Sequence, residues 1–326
     1  MSTARRRSAP RREEEALFPL PPVEQPDRSS VRPLPLHPLW TDNKAKLIER
    51  YLYYFVLVTK HGTYIDGFAG PQDSPDNWAA RLVLENEPPR LRHFHLCEVE
   101  GPKVDRLHEL REQHPGRGVE VYDGDFNAKV DLILRPDVIG EKEAVFCLLD
   151  QRTFECDWST VERIARYKRS GYKIELFYFL ANHWFHRALA ATTKGDRPQR
   201  WWGRPDLDHF AALSGIDRAQ TVCKRFRAEL GYVSARPWAI YDRAGGRRVM
   251  YYMIHATDHP SAPYLMSRAY ERAVLPKEPP DQVQLSILSS VPSPRRRQPD
   301  ATPASDPTAD RQARGRLPSG SGHPTA

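Results

Sequence analysis

The chain is poor in cysteine and has no long apolar run. Its four cysteines form no C-x-x-C pair, and Cys97 and Cys147 lie within apolar stretches, where free cysteine behaves as a small hydrophobic residue. This spacing supports neither a zinc site nor a disulfide framework, so no metal is expected. No apolar run approaches the roughly 18 residues of a membrane-spanning helix, so no membrane association is expected. The Arg-rich start, without an apolar signal region, adds to the expectation of a reducing, cytoplasmic setting.

Proline is abundant mainly at the two ends. Residues 1–38 hold 8 of the 30 prolines, and residues 276–326 hold 10. Both ends are also rich in Ser, Arg and Asp and poor in aromatics, a composition that cannot bury enough apolar surface to fold. We therefore expect two disordered tails, 1–38 and 276–326, around one folded domain at 39–275.

The net charge of +7 is modest, and more than half of it lies in the tails. Arginine clusters at 5–7, 11–12 and 295–297 could attract nucleic acid. The same clusters are also explained as solvated, flexible ends, and the folded part is not basic enough to establish nucleic-acid binding by itself. Nucleic acid is therefore one candidate partner.

Strands and helices alternate through the expected domain. Apolar, β-prone runs end at about 66, 98, 125, 150 and 181, and segments with helical spacing follow them. Two further β-rich runs, 235–242 and 247–256, surround a Gly-Gly turn and predict a hairpin. The pattern predicts an α/β fold: a doubly wound, mostly parallel, seven-stranded, Rossmann-like sheet with a C-terminal antiparallel hairpin.

Acidic residues stand where the predicted strands end. Asp66 ends the first strand, Glu98 the second, Asp123 and Asp125 the third, and Asp150 the fourth. In open α/β sheets, ligands bind at the carboxyl ends of the strands. The sequence therefore predicts a row of carboxylates beside a ligand crevice.

The stretch TYIDGFAGPQ at 63–72 favours a nucleoside cofactor. Gly67 and Gly70 would let the backbone approach a ligand, with Asp66 shaping the turn. Glu98 could accept both ribose hydroxyl protons, and Asp125 could accept an adenine amino proton. Structural explanations also exist: a tight turn for the glycines, a helix cap for Glu98 and a solvated turn for Asp125.

The glycine spacing favours S-adenosylmethionine over a dinucleotide. A dinucleotide fingerprint reads G-x-G-x-x-G and opens directly into a helix. Here Gly70 is followed by Pro71 and Gln72, and a third glycine is missing. A closing antiparallel hairpin is also a feature of class I methyltransferases, which is an analogy between folds. We expect S-adenosylmethionine as the cofactor.

Six stretches carry a resemblance to a known family. They are Trp40 with Lys44 to Tyr51, YIDGFAGP at 64–71, LCEVE at 96–100, YDGDFN at 122–127, LLDQRTFECDWSTVERIA at 148–165 and MYYMIHATDHP at 250–260. Over roughly residues 38–274 the chain resembles the three-Cys-motif partner proteins (the TcmP family), which look like class I S-adenosylmethionine-dependent methyltransferases. The resemblance implies a methyltransferase-like domain at 39–275 and a protein partner that carries a three-cysteine motif.

Two departures from the family pattern bear on activity. Gln72 stands where many related proteins have glycine, and it could crowd the methionine moiety. Amino-group methyltransferases place an [Asp/Asn]-Pro-Pro-aromatic turn after the fourth strand; the acid holds the target amine and the aromatic residue stacks on a flipped base. Here Asp150 and Phe154 keep the acid and an aromatic residue, but the prolines are absent. These two are the expected catalytic residues.

Three functions remain open from the sequence. The first is methyl transfer to an amine, with a nucleobase as a candidate acceptor. The second is a catalytically degenerate binding module that acts with a partner protein, favoured by Gln72 and the altered turn after Asp150. The third is a nuclease-like metal enzyme that uses Asp123, Asp125 and Asp150. Trp201 next to a second tryptophan could stack on bases, or both could be packed indoles.

Overall fold

A computed structural model of the chain describes residues 41–72, 74–192, 195–243 and 246–284. Within these residues seven strands alternate with helices, after a short 3₁₀ turn at Thr41–Asn43. In chain order the elements are α1 (Lys44–Thr59), β1 (Gly62–Asp66), α2 (Ala79–Leu84), β2 (Leu91–Glu98), α3 (Gly101–Gln113), β3 (Gly118–Asp123), α4 (Phe126–Ile133), β4 (Val145–Leu149), α5 (Trp158–Tyr167), β5 (Glu175–Ala181), α6 (Phe185–Ala191), α7 (Arg197–Trp202), α8 (Leu207–Ala212), α9 (Gly215–Ala228), β6 (Ser234–Tyr241), β7 (Val249–Thr257) and α10 (Ala262–Arg272).

The seven strands form one sheet in the order β3-β2-β1-β4-β5-β7-β6. The pairs β1–β2, β1–β4, β2–β3 and β4–β5 are parallel. Strand β7 pairs antiparallel with both β5 and β6, so among the described strands it alone is reversed. The predicted α/β fold with a mostly parallel, seven-stranded sheet is confirmed. The hairpin inserts its second strand between β5 and β6, and residues 244–245 of its turn lie outside the described residues.

Helices cover both faces of the sheet, and β4 shows how its sequence suits this position. All five of its residues are buried, and they alternate between two separate hydrophobic cores. Phe146 and Leu148 belong to the core under α1 and α10, whereas Cys147 and Leu149 belong to the core under α5 and α9. Burial on both faces of a parallel strand requires such a continuous apolar run.

Helix α1 is buried nearly all round, because it lies between the sheet and the helices α2 and α10. Twelve of its 16 residues are buried, from Ala45 to Leu57. The helix ends at Thr59 and is capped by Lys60, whose φ of 67° places it in the left-handed region typical of helix C-termini. Its packing fixes where its first residue, Lys44, meets the sheet.

The folded part of the chain continues beyond residue 275, the boundary expected from the sequence. Tyr54 of α1 donates a 2.7 Å hydrogen bond to Glu278, and Arg268 of α10 forms an ion pair with the same carboxylate. Val283 is fully buried in the core under α1. Residues 276–284 are therefore packed on the domain. The rest of the expected tails, 1–38 and 285–326, lies outside the described residues.

None of the described helices is both long and apolar enough to cross a membrane. All four cysteines are free and buried. Burial raises the pKa of the Cys97 and Cys223 thiols to about 12, so the thiolate forms are scarce at neutral pH.

Candidate functional site

Asp66 ends β1 as a buried carboxylate. Its side chain accepts a 2.8 Å hydrogen bond from the Tyr64 hydroxyl and a 3.1 Å bond from the backbone N–H of Phe68. Burial raises the pKa of Asp66 to about 7, although these two hydrogen bonds act in the opposite direction. The negative charges of Asp150 and Glu98 raise the pKa of Asp66 further.

The two glycines of the turn after β1 allow close approach of neighbouring side chains. A Cβ on Gly67 would lie 2.8 Å from the ring of Phe126, and a Cβ on Gly70 would lie 2.1 Å from Oε2 of Glu98. The Gly67 N–H donates to the carbonyl of Leu148 on β4 at 3.0 Å. Glycine at 67 thus leaves room for the buried Phe126 ring, and glycine at 70 lets the Glu98 carboxylate reach the backbone, whether or not a ligand also approaches them.

Glu98 faces the turn after β1, as the sequence predicts. Its Oε2 accepts a 2.9 Å hydrogen bond from the Gly70 N–H. Its Oε1 accepts from the N–H groups of Val99 at 2.8 Å and Glu100 at 3.0 Å. A carboxylate offers about four acceptor positions, so these bonds leave roughly one for a ligand hydroxyl. Gln72, beyond the turn, is exposed to solvent.

Asp125 is exposed and caps α4. Its Oδ1 accepts hydrogen bonds from the backbone N–H of Asn127 at 3.0 Å and from the Asn127 side-chain amide at 2.9 Å. Asn127, which the sequence reasoning missed, also accepts from the N–H of Asp157 and donates to the carbonyl of Glu155. It thereby ties the start of α4 to the loop after β4. A capping Asp followed two residues later by Asn was the available signal.

Asp150 follows β4 and forms an ion pair that the sequence reasoning did not foresee. The Lys44 ammonium lies 2.8 Å from Oδ1 and 2.7 Å from Oδ2, with the two side chains 12% and 10% exposed. A lysine in the first turn of a helix is an unusual choice, since the helix dipole disfavours a cation there. That placement was the signal of an acidic partner.

Phe154 does not occupy the position expected of a base-stacking residue. It is 1% exposed, and the rings of Phe185 and Trp201 pack against it edge-on at centroid distances of 5.5 and 5.0 Å. Gln151 fixes the turn by donating to the carbonyl of Phe179 and accepting from the N–H of Cys156. This burial contradicts the stacking role, because neither face of the Phe154 ring is open to a base.

Neither a stacking role for Trp201 and Trp202 nor the metal site of a nuclease-like enzyme is supported by the described residues. Trp201 and Trp202 are 1% and 2% exposed and pack in the core, so they offer no stacking surface. Within the described residues, no group of three His, Cys, Asp or Glu side chains could hold a metal ion. The nuclease-like reading, which needs Asp123, Asp125 and Asp150 together, is therefore unsupported.

Two cavities among the described residues lie away from these carboxylates. One, of about 180 Å³, is lined by Trp78 and residues of α2 and α3. The other, of about 410 Å³, is lined by Tyr51, Glu143, Glu175 and Thr257, at the opposite edge of the sheet.

Comparisons with known proteins give distant likenesses only. No protein-family model matches the chain, and no curated protein matches it. Among solved structures it is similar to M. jannaschii TYW2 in complex with AdoMet (13% identity, 66% of this chain, 75% of that chain, TM-score 0.38). It is also similar to Trm5b from Pyrococcus abyssi (13% identity, 63% of this chain, 47% of that chain, TM-score 0.31). A third similar structure is a putative methyltransferase from Thermobifida fusca (12% identity, 66% of this chain, 80% of that chain, TM-score 0.38). At such TM-scores these likenesses carry no argument about function.

Proposed function

We propose that the chain binds S-adenosylmethionine at the carboxyl ends of β1, β2 and β3 and acts as a methyltransferase. The observation that supports this most is the position of Glu98. Its carboxylate accepts a hydrogen bond from the Gly70 amide in the turn after β1, the parallel neighbour of β2, at the edge where α/β sheets bind ligands.

The residues present suit an adenosine-bearing cofactor. Glu98 retains an acceptor position for a ribose hydroxyl, and the exposed Asp125 could accept from an adenine amino group. The backbone of Gly67 to Gly70 would border the cofactor, with Asp66 holding the turn through Phe68. When bound, the cofactor supplies an electrophilic methyl group. The protein's contribution would be to orient the acceptor.

The proposed acceptor is an amine held by Asp150, and a nucleobase remains the candidate source of that amine. Of the two expected catalytic residues, Asp150 has a partly accessible carboxylate, whereas the ring of Phe154 is buried. Lys44 now holds both oxygens of Asp150, so an acceptor amine would have to share or replace that contact.

Isothermal titration calorimetry with S-adenosylhomocysteine tests the cofactor site. We expect wild type to bind, and Glu98→Gln to bind at least tenfold more weakly, because an amide nitrogen would face backbone N–H groups. Glu100→Gln is the matched control, since Glu100 is exposed and pairs only with Lys103 at 2.8 Å. Absence of heat with folded wild type, or equal affinity in Glu98→Gln, would count against the proposal.

A binding module that acts with a three-cysteine-motif protein is the second candidate, in line with the family resemblance. It is favoured by the three hydrogen bonds from backbone N–H groups that already occupy most acceptor positions of the Glu98 carboxylate, and by the burial of Phe154. A purified three-cysteine-motif protein that binds wild type and the Glu98→Ala, Asp150→Ala variant equally well would favour this function. Loss of that binding in the double variant would point back to the strand edge as a working site.

A further inference from the structure

Lys44 and Asp150 form an ion pair that is partly open to solvent. The ammonium contacts both carboxylate oxygens, at 2.8 and 2.7 Å. The two side chains come from elements far apart in sequence, the first residue of α1 and the end of β4. Their exposures of 12% and 10% show that solvent still reaches the pair.

Two aromatic rings complete the surroundings of the ammonium. The Lys44 nitrogen lies over the ring of Phe179 at 4.8 Å from its centroid and over the ring of Tyr251 at 5.0 Å. The two rings stand nearly perpendicular, at 86°, with centroids 6.1 Å apart. Trp184 packs edge-on against Tyr251 at 4.6 Å and holds that ring in place. We call the walls formed by Asp150, Phe179 and Tyr251 the cation corner.

The cation corner favours a charged ligand. Burial lowers the pKa of Lys44, but attraction to Asp150 and to the more distant Asp66 raises it overall. The amine therefore stays protonated at neutral pH and is not itself a nucleophile. Proteins bind organic ammonium groups over the faces of aromatic rings, and a carboxylate beside the rings adds attraction between opposite charges.

We propose that the cation corner is a recognition site for an organic ammonium group of the acceptor, and that Lys44 fills it until the acceptor arrives. This rests on the proposed function, because it names the acceptor class at the same strand edge. Lys44 acts here as a positioning and competing residue, and the ammonium that displaces it is the protonated form of the amine that Asp150 is proposed to hold.

Chemical rescue tests the proposal. Lys44→Ala removes three methylenes and the ammonium, which propylammonium can replace, whereas 1-propanol is a neutral match in size. We expect propylammonium to bind Lys44→Ala at least tenfold more tightly than wild type and to raise its urea midpoint. We expect 1-propanol to do neither. In the Lys44→Ala, Asp150→Asn double variant the effect of propylammonium should disappear.

The folding and ligand binding of Lys44→Ala decide whether the proposal stands. If Lys44→Ala folds only with propylammonium, the proposal is supported. If it folds but ignores propylammonium, responds equally to 1-propanol, or folds under neither condition, Lys44 is a structural strut and the proposal is overturned. S-adenosylhomocysteine binding, measured on the same variant, separates the two ideas. If the variant binds S-adenosylhomocysteine but not propylammonium, only the cation-corner proposal is overturned. If it binds propylammonium but not S-adenosylhomocysteine, the methyltransferase proposal is overturned and the ammonium binding of the corner stands.

Discussion

Replacement of Gly70 by alanine is the sharpest perturbation that the structure offers at the predicted cofactor turn. A new Cβ would lie 2.1 Å from Oε2 of Glu98 and 2.7 Å from the Lys103 side chain. The carboxylate would have to retreat by roughly 1 Å to reach even a tight contact, which breaks its 2.9 Å bond from the Gly70 N–H. An unsatisfied buried N–H costs about 1–3 kcal/mol, and repacking strain costs a similar amount. We therefore expect a loss of about 2–6 kcal/mol of unfolding free energy.

Equilibrium urea unfolding, followed by circular dichroism, measures this loss. Gly101→Ala is the matched control, because a Cβ there meets nothing within 4 Å and the residue begins α3. The control should stay within about 1 kcal/mol of wild type. Gly70 does not have a positive φ, so any difference between the variants reports the contact with Glu98 rather than backbone strain. An unchanged urea midpoint for Gly70→Ala would refute the reasoning.

Three further predictions concern buried groups. The pKa of Asp66 in the folded protein, about 7, lies above its ordinary 3.8, so the native state binds the proton more tightly than the unfolded state and the unfolding free energy falls as pH rises from about 4 to 7. The fall is at most about 4 kcal/mol, and it should be smaller in Asp66→Asn. A pH profile of the variant parallel to that of wild type would contradict this prediction. Tyr51→Phe removes the hydroxyl that donates to the buried Glu175, so its urea midpoint should fall by the equivalent of about 1–3 kcal/mol, while Tyr172→Phe, at a half-exposed ring, should match wild type. The four buried cysteines should react with a thiol reagent only after denaturation, and rapid reaction of any in the native protein would contradict the burial.

The sheet could be predicted because its signals are local. Each parallel strand is a short apolar run, and β4 is apolar throughout because both of its faces are covered. The acids at 66, 98 and 150 could be assigned to one edge, since parallel strands place their carboxyl ends together.

The features that could not be predicted depend on contacts between distant parts of the chain. Lys44 and Asp150 are 106 residues apart, and the sequence around either residue does not identify the other as its partner. The turn pattern shows that Phe154 is aromatic but not that Phe185 and Trp201 cover its ring. The packing of residues 276–284 on the domain has the same origin, because the partners of Glu278 lie on α1 and α10.

A crystal soaked with S-adenosylhomocysteine tests the central claim most directly. We expect electron density for the adenosine between the turn at Gly67–Gly70 and Glu98, with a ribose hydroxyl within hydrogen-bond distance of the Glu98 carboxylate. A saturating soak that leaves this edge of the sheet empty, or that places the nucleoside in the cavity beside Tyr51 and Glu175, would contradict the account.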